Sequence, residues 1–185
     1  ALAVHHLALV RVVDAGQGDL LAVDVLPHIE FCPVTDRENT NIFSFVLGQS
    51  QALINHDICP DECYIQVTNW SLKEAYKKTL ELLALPSRPE AIFCSSDYIA
   101  LGCYQAILSQ GLHIPDDIAV IGYDNQSISS ELTPELSSVD LPYGEMGEMA
   151  LHTLLKITQR QPLLSLKMKV EGELIIRQSS LRPVK

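Results

Sequence analysis

Basic residues are scarce in this chain. Its 185 residues hold 13 lysines and arginines against 23 aspartates and glutamates, a formal net charge of −10. Affinity for nucleic-acid phosphate comes mainly from Lys and Arg. With no basic run, the chain is a poor nucleic-acid binder by itself; if the protein acts on DNA, another segment makes the contact. No apolar stretch is long enough to span a bilayer, so no membrane partner is expected. The segment 1–13 is apolar but lacks a basic n-region, so it is not read as a signal peptide. No Gly-rich phosphate loop and no G-x-S-x-G elbow occur. The six histidines show no metal spacing. No nucleophile, metal site or cofactor site emerges, and the chain is not read as an enzyme.

The 5 cysteines are odd in number and contain no Cys-x-x-Cys. Cys59 and Cys63 have a spacing found in some metal sites, but the matching second pair is missing. The expectation is reduced, buried thiols in a cytoplasmic protein. Cys94 and Cys103 would act as small hydrophobes.

What is present is apolar and ordered by period. Hydrophobic residues make up 47% of the chain, enough for a sizeable core in one domain or two small lobes. The most informative stretch is Glu90–Asn125. An apolar run at 91–94 ends in Ser95, Ser96 and Asp97; a helical pattern covers 98–109 and stops at Gly111; a second apolar run at 118–121 ends in Gly122, Tyr123, Asp124 and Asn125. That is strand, helix, strand, with a polar cluster beyond each strand's C-terminal end. Ligands bind there in open α/β sheets.

Elsewhere the signals are shorter. Strand candidates lie at 6–13, 20–26 and 29–34, and the Gly-containing turn at 14–19 allows a hairpin between the first two. A helix is expected over 42–55 and a strand over 63–67. Ser71-x-x-Glu74 reads as a capping box for a helix over 72–84. A short helical turn is expected at 127–131, extended chain at 132–139, and an amphipathic helix from Pro142 to about residue 158. Strand candidates at 163–170 and 173–177 close the chain. The alternation from 29 to 121 argues for an α/β fold, a parallel sheet flanked by helices on both faces.

The pieces at Ser96–Gly102, Gly111–Asp124, Leu132–Val139, Pro142–Ala150 and Glu173–Ser179 together resemble the effector-binding domain of LacI/GalR-type transcription regulators. Ser96-Asp97-x-x-Ala100-Leu101-Gly102 stands where that family usually has Asn-Asp-x-x-Ala-x-Gly. Gly111-Leu112-x-Ile114-Pro115-x-Asp117-Ile118-x-Val120-Ile121-Gly122-Tyr123-Asp124 is similar to its G-x-x-V-P-x-D-I-S-V-x-G-F-D. Leu132–Val139, Pro142–Ala150 and Glu173–Ser179 match three further pieces in family order. The resemblance implies a periplasmic-binding-protein-like (type I) fold, here mainly the C-terminal lobe. Residues 1–34 would be strands or a remnant of the N-terminal lobe, 35–138 the C-terminal-lobe core, 139–160 the crossover to the N-terminal lobe, and 161–185 returning strands. It also implies a small-molecule, sugar-like effector in an inter-lobe cleft, a homodimer, and DNA contact through a domain absent from this chain. The alternative is the solute-binding protein of a sugar transporter, which shares the fold.

The resemblance carries site residues over position by position. Asp124 matches the carboxylate that bonds effector hydroxyls; its bland role is turn formation. Ser96 stands at the effector-contacting Asn, with one hydroxyl in place of an amide. Asp97 is a contact or the N-cap of the following helix. Trp70 stacks on a sugar face or packs in the core. Asn125, beside Asp124, and Tyr143, beside Pro142, complete the set. Phe45 stands where the family commonly has a forked Arg donor, and Phe donates no hydrogen bond. That substitution points away from an ordinary hexose.

Overall fold

The computed structural model describes residues 5–7, 30–31, 54–55, 62–68, 70–162 and 168–181. Phe45, Cys32, Cys59, residues 20–26 and most of the helix expected over 42–55 lie outside them.

The centre of the fold is a four-stranded sheet. It contains β4 (Ala91–Phe93), β5 (Ala119–Tyr123), β6 (Ser137–Asp140) and β8 (Glu173–Ile175), in that spatial order. β4, β5 and β6 run parallel, and β8 closes the sheet antiparallel to β6. The expected parallel sheet is therefore mixed at its last strand. The earlier strands also sit apart from it. β1 (His5–Leu7) pairs antiparallel with β3 (Gln66–Thr68), and β2 (Glu30–Phe31) pairs antiparallel with β7 (Met168–Lys169).

Two helices fill the space beside β4 and β5. α1 (Leu72–Leu83) buries Ala75, Thr79 and Leu82, spaced by four and three residues on one face. Ser71 caps it: its Oγ accepts from the Glu74 N–H at 3.3 Å, the forward half of the expected capping box. Replacing Ser71 by Ala should lower unfolding free energy by about 1 kcal/mol in urea denaturation; an unchanged midpoint would mean this bond is not formed in solution. α2 (Asp97–Ser109) is buried on most of its circumference, through Ile99, Ala100, Gly102, Cys103, Tyr104, Ala106 and Ile107. It lies against both α1 and the sheet. A Cβ on Gly102 would come within 2.6 Å of the Leu72 carbonyl oxygen, so only glycine allows this helix-to-helix approach. The helix stops where expected, with Gly111 at φ +70° just beyond it.

Ile92, Ile118, Val120 and Leu136 complete the core beneath α2. Cys94 and Cys103 are buried there as expected, and burial pushes the Cys94 thiol well above its ordinary value, as befits a packing residue. Cys63, in contrast, is exposed in the 3₁₀ turn Glu62–Tyr64.

After β5 comes the short helix α3 (Ile128–Glu131), and after β6 the long helix α4 (Tyr143–Thr158), both close to their expected spans. α4 buries none of its residues, and Leu151, Leu154, Leu155 and Ile157 are exposed. Among the described residues no helix is long and apolar enough to cross a membrane.

Candidate functional site

Three parallel strands bring three chain reversals to one edge of the sheet. Ser96 and Asp97 follow β4, Asp124 and Asn125 follow β5, and Asp140 ends β6 just before Tyr143 opens α4. Open α/β sheets place ligand sites along this edge.

Ser96 and Asp97 are both fully buried. The cap of α2 is Ser96, not Asp97: the Ser96 Oγ accepts from the Ile99 N–H at 3.3 Å. The capping alternative for Asp97 is therefore taken by its neighbour. A serine hydroxyl reaches the third amide of the helix and a buried cap satisfies a group that water cannot. Asp97, freed from capping, accepts two short bonds. Its Oδ2 takes the Gln126 N–H at 2.6 Å and its Oδ1 takes the Ser138 hydroxyl at 2.6 Å. Asp97 therefore ties the start of α2 to the segments after β5 and in β6. Burial raises its carboxyl above the ordinary value, while the bonds from Ser138 and Gln126 pull the other way.

The strand register explains why Asp97 fits there. Gly122 on β5 stands beside Ser138 on β6. A Cβ on Gly122 would collide with the Asp97 Oδ1 and come within 2.8 Å of Leu136 Cδ2. The missing side chain is the slot into which the carboxylate fits.

Asp124 and Asn125 have left-handed backbones, at φ +94° and +45°. Asx residues adopt this region more readily than other non-glycine residues. The turn is pinned on all sides. The Asp124 N–H donates to the Val139 carbonyl at 2.9 Å. The Asn125 N–H donates to Ser138 Oγ at 3.0 Å, and its Nδ2 donates to Asp140 Oδ1 at 3.2 Å. Its Oδ1 accepts from an Arg177 terminal nitrogen at 2.7 Å.

Arg177 is the residue that sequence reasoning left out of the site. It was visible only as a matched letter in the closing strand segment. In the fold its other terminal nitrogen donates to the Leu136 carbonyl at 2.7 Å and to Ser129 Oγ at 3.1 Å. A single guanidinium thus links α3, the residue that leads into β6, and the Asn125 turn. Both terminal nitrogens are engaged inside the protein, and Nε lies 3.9 Å from Glu135 Oε2, so it acts as a positioning residue here.

The Asp124 carboxylate projects from this mount. Its Oδ1 accepts from the Tyr143 hydroxyl at 2.7 Å, and its Oδ2 takes a long contact of 3.4 Å from Gln126 Nε2. Burial, then the bond to Asp124, pushes the Tyr143 hydroxyl well above its ordinary range, so it stays protonated as a donor at neutral pH. Asp97, Asp124, Asn125 and Tyr143 are thus one connected group, with Ser96 beneath it as a cap. Trp70 stands on a different junction, between β3 and α1, with φ +62° and 37% of its surface exposed. Phe45 lies outside the described residues. Among the described residues no group of three or more His, Cys, Asp or Glu could hold a metal ion.

Comparison with known proteins finds relatives for most of this fold. Residues 28–180 match the model described as a periplasmic binding protein-like domain. The chain is 34% identical over 135 residues to the probable HTH-type transcriptional repressor ExuR of Bacillus subtilis, covering 73% of this chain and 40% of that protein. It is 36% identical over 133 residues to the HTH-type transcriptional repressor CytR of Escherichia coli, covering 72% of this chain and 39% of that protein. With the ribose operon repressor of Haemophilus influenzae it shares 38% identity over 109 residues, 59% of this chain and 33% of that one. Among solved structures, the Escherichia coli transcriptional repressor ascG superposes with TM-score 0.67 at 26% identity, over 80% of this chain and 53% of that one. A LacI family regulator from Lactobacillus casei with bound sucrose superposes with TM-score 0.63 at 28% identity, over 79% of this chain and 54% of that one. The chain spans 33 to 40% of the length of these three curated relatives.

Proposed function

The chain belongs to the periplasmic-binding-protein-like family whose members include LacI-type repressors, and from this premise we propose that it is the effector-sensing part of a LacI/GalR-type transcription regulator. The observation that carries the reading is the Asp124 carboxylate, held out from a left-handed turn at the C-terminal ends of parallel strands. On this reading residues 35–138 are the C-terminal lobe, 139–160 the crossover, and the ligand lies over Asp124 and Asn125. Trp70 supplies a stacking face. Ser96 and Asp97 support the site from below and make no ligand contact, because both are buried and bonded within the protein.

The charge pattern selects the ligand class. Asp124, Asp97 and Asp140 meet at this edge, and the nearby guanidinium of Arg177 is already engaged by Asn125. Among the described residues, an anionic group here meets carboxylates and a guanidinium that is already engaged, which favours a neutral polyol such as a sugar or nucleoside. Its hydroxyls donate to Asp124. The ligand shifts the lobe arrangement by binding one state more tightly than the other. In the whole regulator, a cytoplasmic homodimer, DNA contact belongs to another segment, since these residues carry a net charge of −10.

Titration calorimetry against pentoses, hexoses and nucleosides tests this. Asp124→Ala should weaken the best ligand by about tenfold or more, the scale of one lost charged hydrogen bond, with an unchanged circular dichroism spectrum. Unchanged affinity would remove Asp124 from the site. Failure of the whole panel to bind would sink the effector reading.

A further inference from the structure

The Tyr143 hydroxyl already sits where a ligand hydroxyl would sit. It donates to Asp124 Oδ1 at 2.7 Å, the distance expected for a hydroxyl on a carboxylate. Its position does not build the turn: Asp124 and Asn125 are held from behind by Val139, Ser138, Asp140 and Arg177. Removing the Tyr143 bond therefore leaves the turn in place. Tyr143 is also 53% exposed, so its ring and hydroxyl can swing into water without leaving a buried orphan group.

On the other side of the bond is a loosely tied helix. α4 buries none of its residues, and Pro142 provides no side-chain cap. Its other side-chain hydrogen bonds, from Thr153 and Thr158, stay within the helix. Among the described residues, Tyr143 to Asp124 is the one side-chain hydrogen bond that leaves α4.

We propose that Tyr143 is a built-in competitor for the ligand: its phenol occupies Asp124 in the unliganded chain, and a neutral polyhydroxylated ligand displaces it and releases the head of α4. The inference rests on the reading of Asp124 as a ligand carboxylate. The exchange balances in kind, one hydroxyl donor for another on the same Oδ1, and the ligand gains by adding a second donor at the weakly used Oδ2. A phosphorylated sugar gains less, because its anionic group faces the carboxylates at this edge. Ligand occupancy is thereby converted into a change at the start of the helix that leads away from the sheet.

The test uses the 185-residue chain with Tyr143→Phe, Asp124→Ala and the double variant, and D-ribose as probe with D-ribose 5-phosphate as the anionic control. Without ligand, amide hydrogen exchange over residues 143–149 should be several-fold faster in each single variant, and the double variant should add nothing further. With D-ribose, Tyr143→Phe should bind several-fold tighter than the parent chain, and the parent should acquire the fast exchange of the variant. D-ribose 5-phosphate should bind more weakly than D-ribose and leave exchange slow. If D-ribose binding is lost in Asp124→Ala yet Tyr143→Phe binds no tighter, the competitor role is wrong and the ligand reading stands. Weaker binding by Tyr143→Phe would make Tyr143 an ordinary ligand contact. If Asp124→Ala binds D-ribose like the parent, the site reading is wrong; if no form binds it, the functional reading and the competitor fall together.

Discussion

Gly122→Ala should destabilise the chain by about 3 to 5 kcal/mol, although it adds a single methyl group. The new Cβ collides with the Asp97 Oδ1 and stands 2.8 Å from Leu136 Cδ2. Neither neighbour can yield easily. Leu136 is fully buried, and the Asp97 carboxylate is fixed by the Ser138 hydroxyl and the Gln126 amide. Overpacking costs about 1 to 3 kcal/mol. Pushing the carboxylate off its donors adds the loss of charged hydrogen bonds, each about 1.5 to 3 kcal/mol. The melting temperature should fall by about 10 °C for a chain of this length. Gly147→Ala is the matched control. It lies inside α4 with nothing within 4 Å of an added Cβ, so it should stabilise by up to about 1 kcal/mol through helix propensity. Melting of Gly122→Ala within a degree of the parent would show that the carboxylate is not seated against β5.

The second large effect concerns Asp97 itself, and its sign depends on what replaces it. Asp97→Ala should cost about 3 kcal/mol, because the Gln126 amide and the Ser138 hydroxyl lose their buried acceptor. Asp97→Asn should cost much less at neutral pH. Its carbonyl can take the Gln126 amide, and its NH₂ can donate to Ser138 Oγ once that hydroxyl turns. The two variants also separate by pH. Burial raises the Asp97 carboxyl above its ordinary value, so the folded chain holds this proton more tightly than the unfolded chain. The resulting stabilisation is complete below the ordinary aspartate value of 3.8 and is lost as pH rises through the raised folded value. Asn cannot titrate. The parent should therefore gain stability relative to Asp97→Asn as pH is lowered from neutral towards 4, measured as paired urea midpoints. Parallel curves for the two proteins would rule out the burial effect.

These two predictions rest on features that were unequally legible beforehand. The strand, helix and strand of Glu90–Asn125 were readable because each boundary has a local cause: an apolar run, a capping side chain, a glycine at φ +70°. Asp124 and Asn125 were readable as the polar end of such a run. The division of labour between Ser96 and Asp97 was not. Both residue types cap helices, and the choice depends on Ser138 and Gln126, which lie 29 to 41 residues away. Arg177 escaped for the same reason, since its partners Asn125, Ser129 and Leu136 are 41 to 52 residues upstream. The antiparallel pairing of β1 with β3 and of β2 with β7 is also non-local. Periodicity announces that a strand exists but not which edge accepts it. Trp70 illustrates a third limit: its left-handed backbone has no signature in the letters around it.

The closing strand has a kinetic meaning as well. β8 and the 3₁₀ turn Gln178–Ser180 supply the Arg177 bonds to Asn125 and Leu136, the Ser179 bond to the Val120 carbonyl, and the pairing that covers β6. During synthesis, β4, β5 and β6 emerge well before these residues do. Until then β6 is a bare edge, and the turn that carries Asp124 lacks its guanidinium clamp. Contacts of such high sequence separation form late, and an uncovered edge invites pairing with other chains. The turn that carries Asp124 should therefore be completed only once these late-emerging residues pair, and on the proposed reading a ligand would recognise only molecules in which they have.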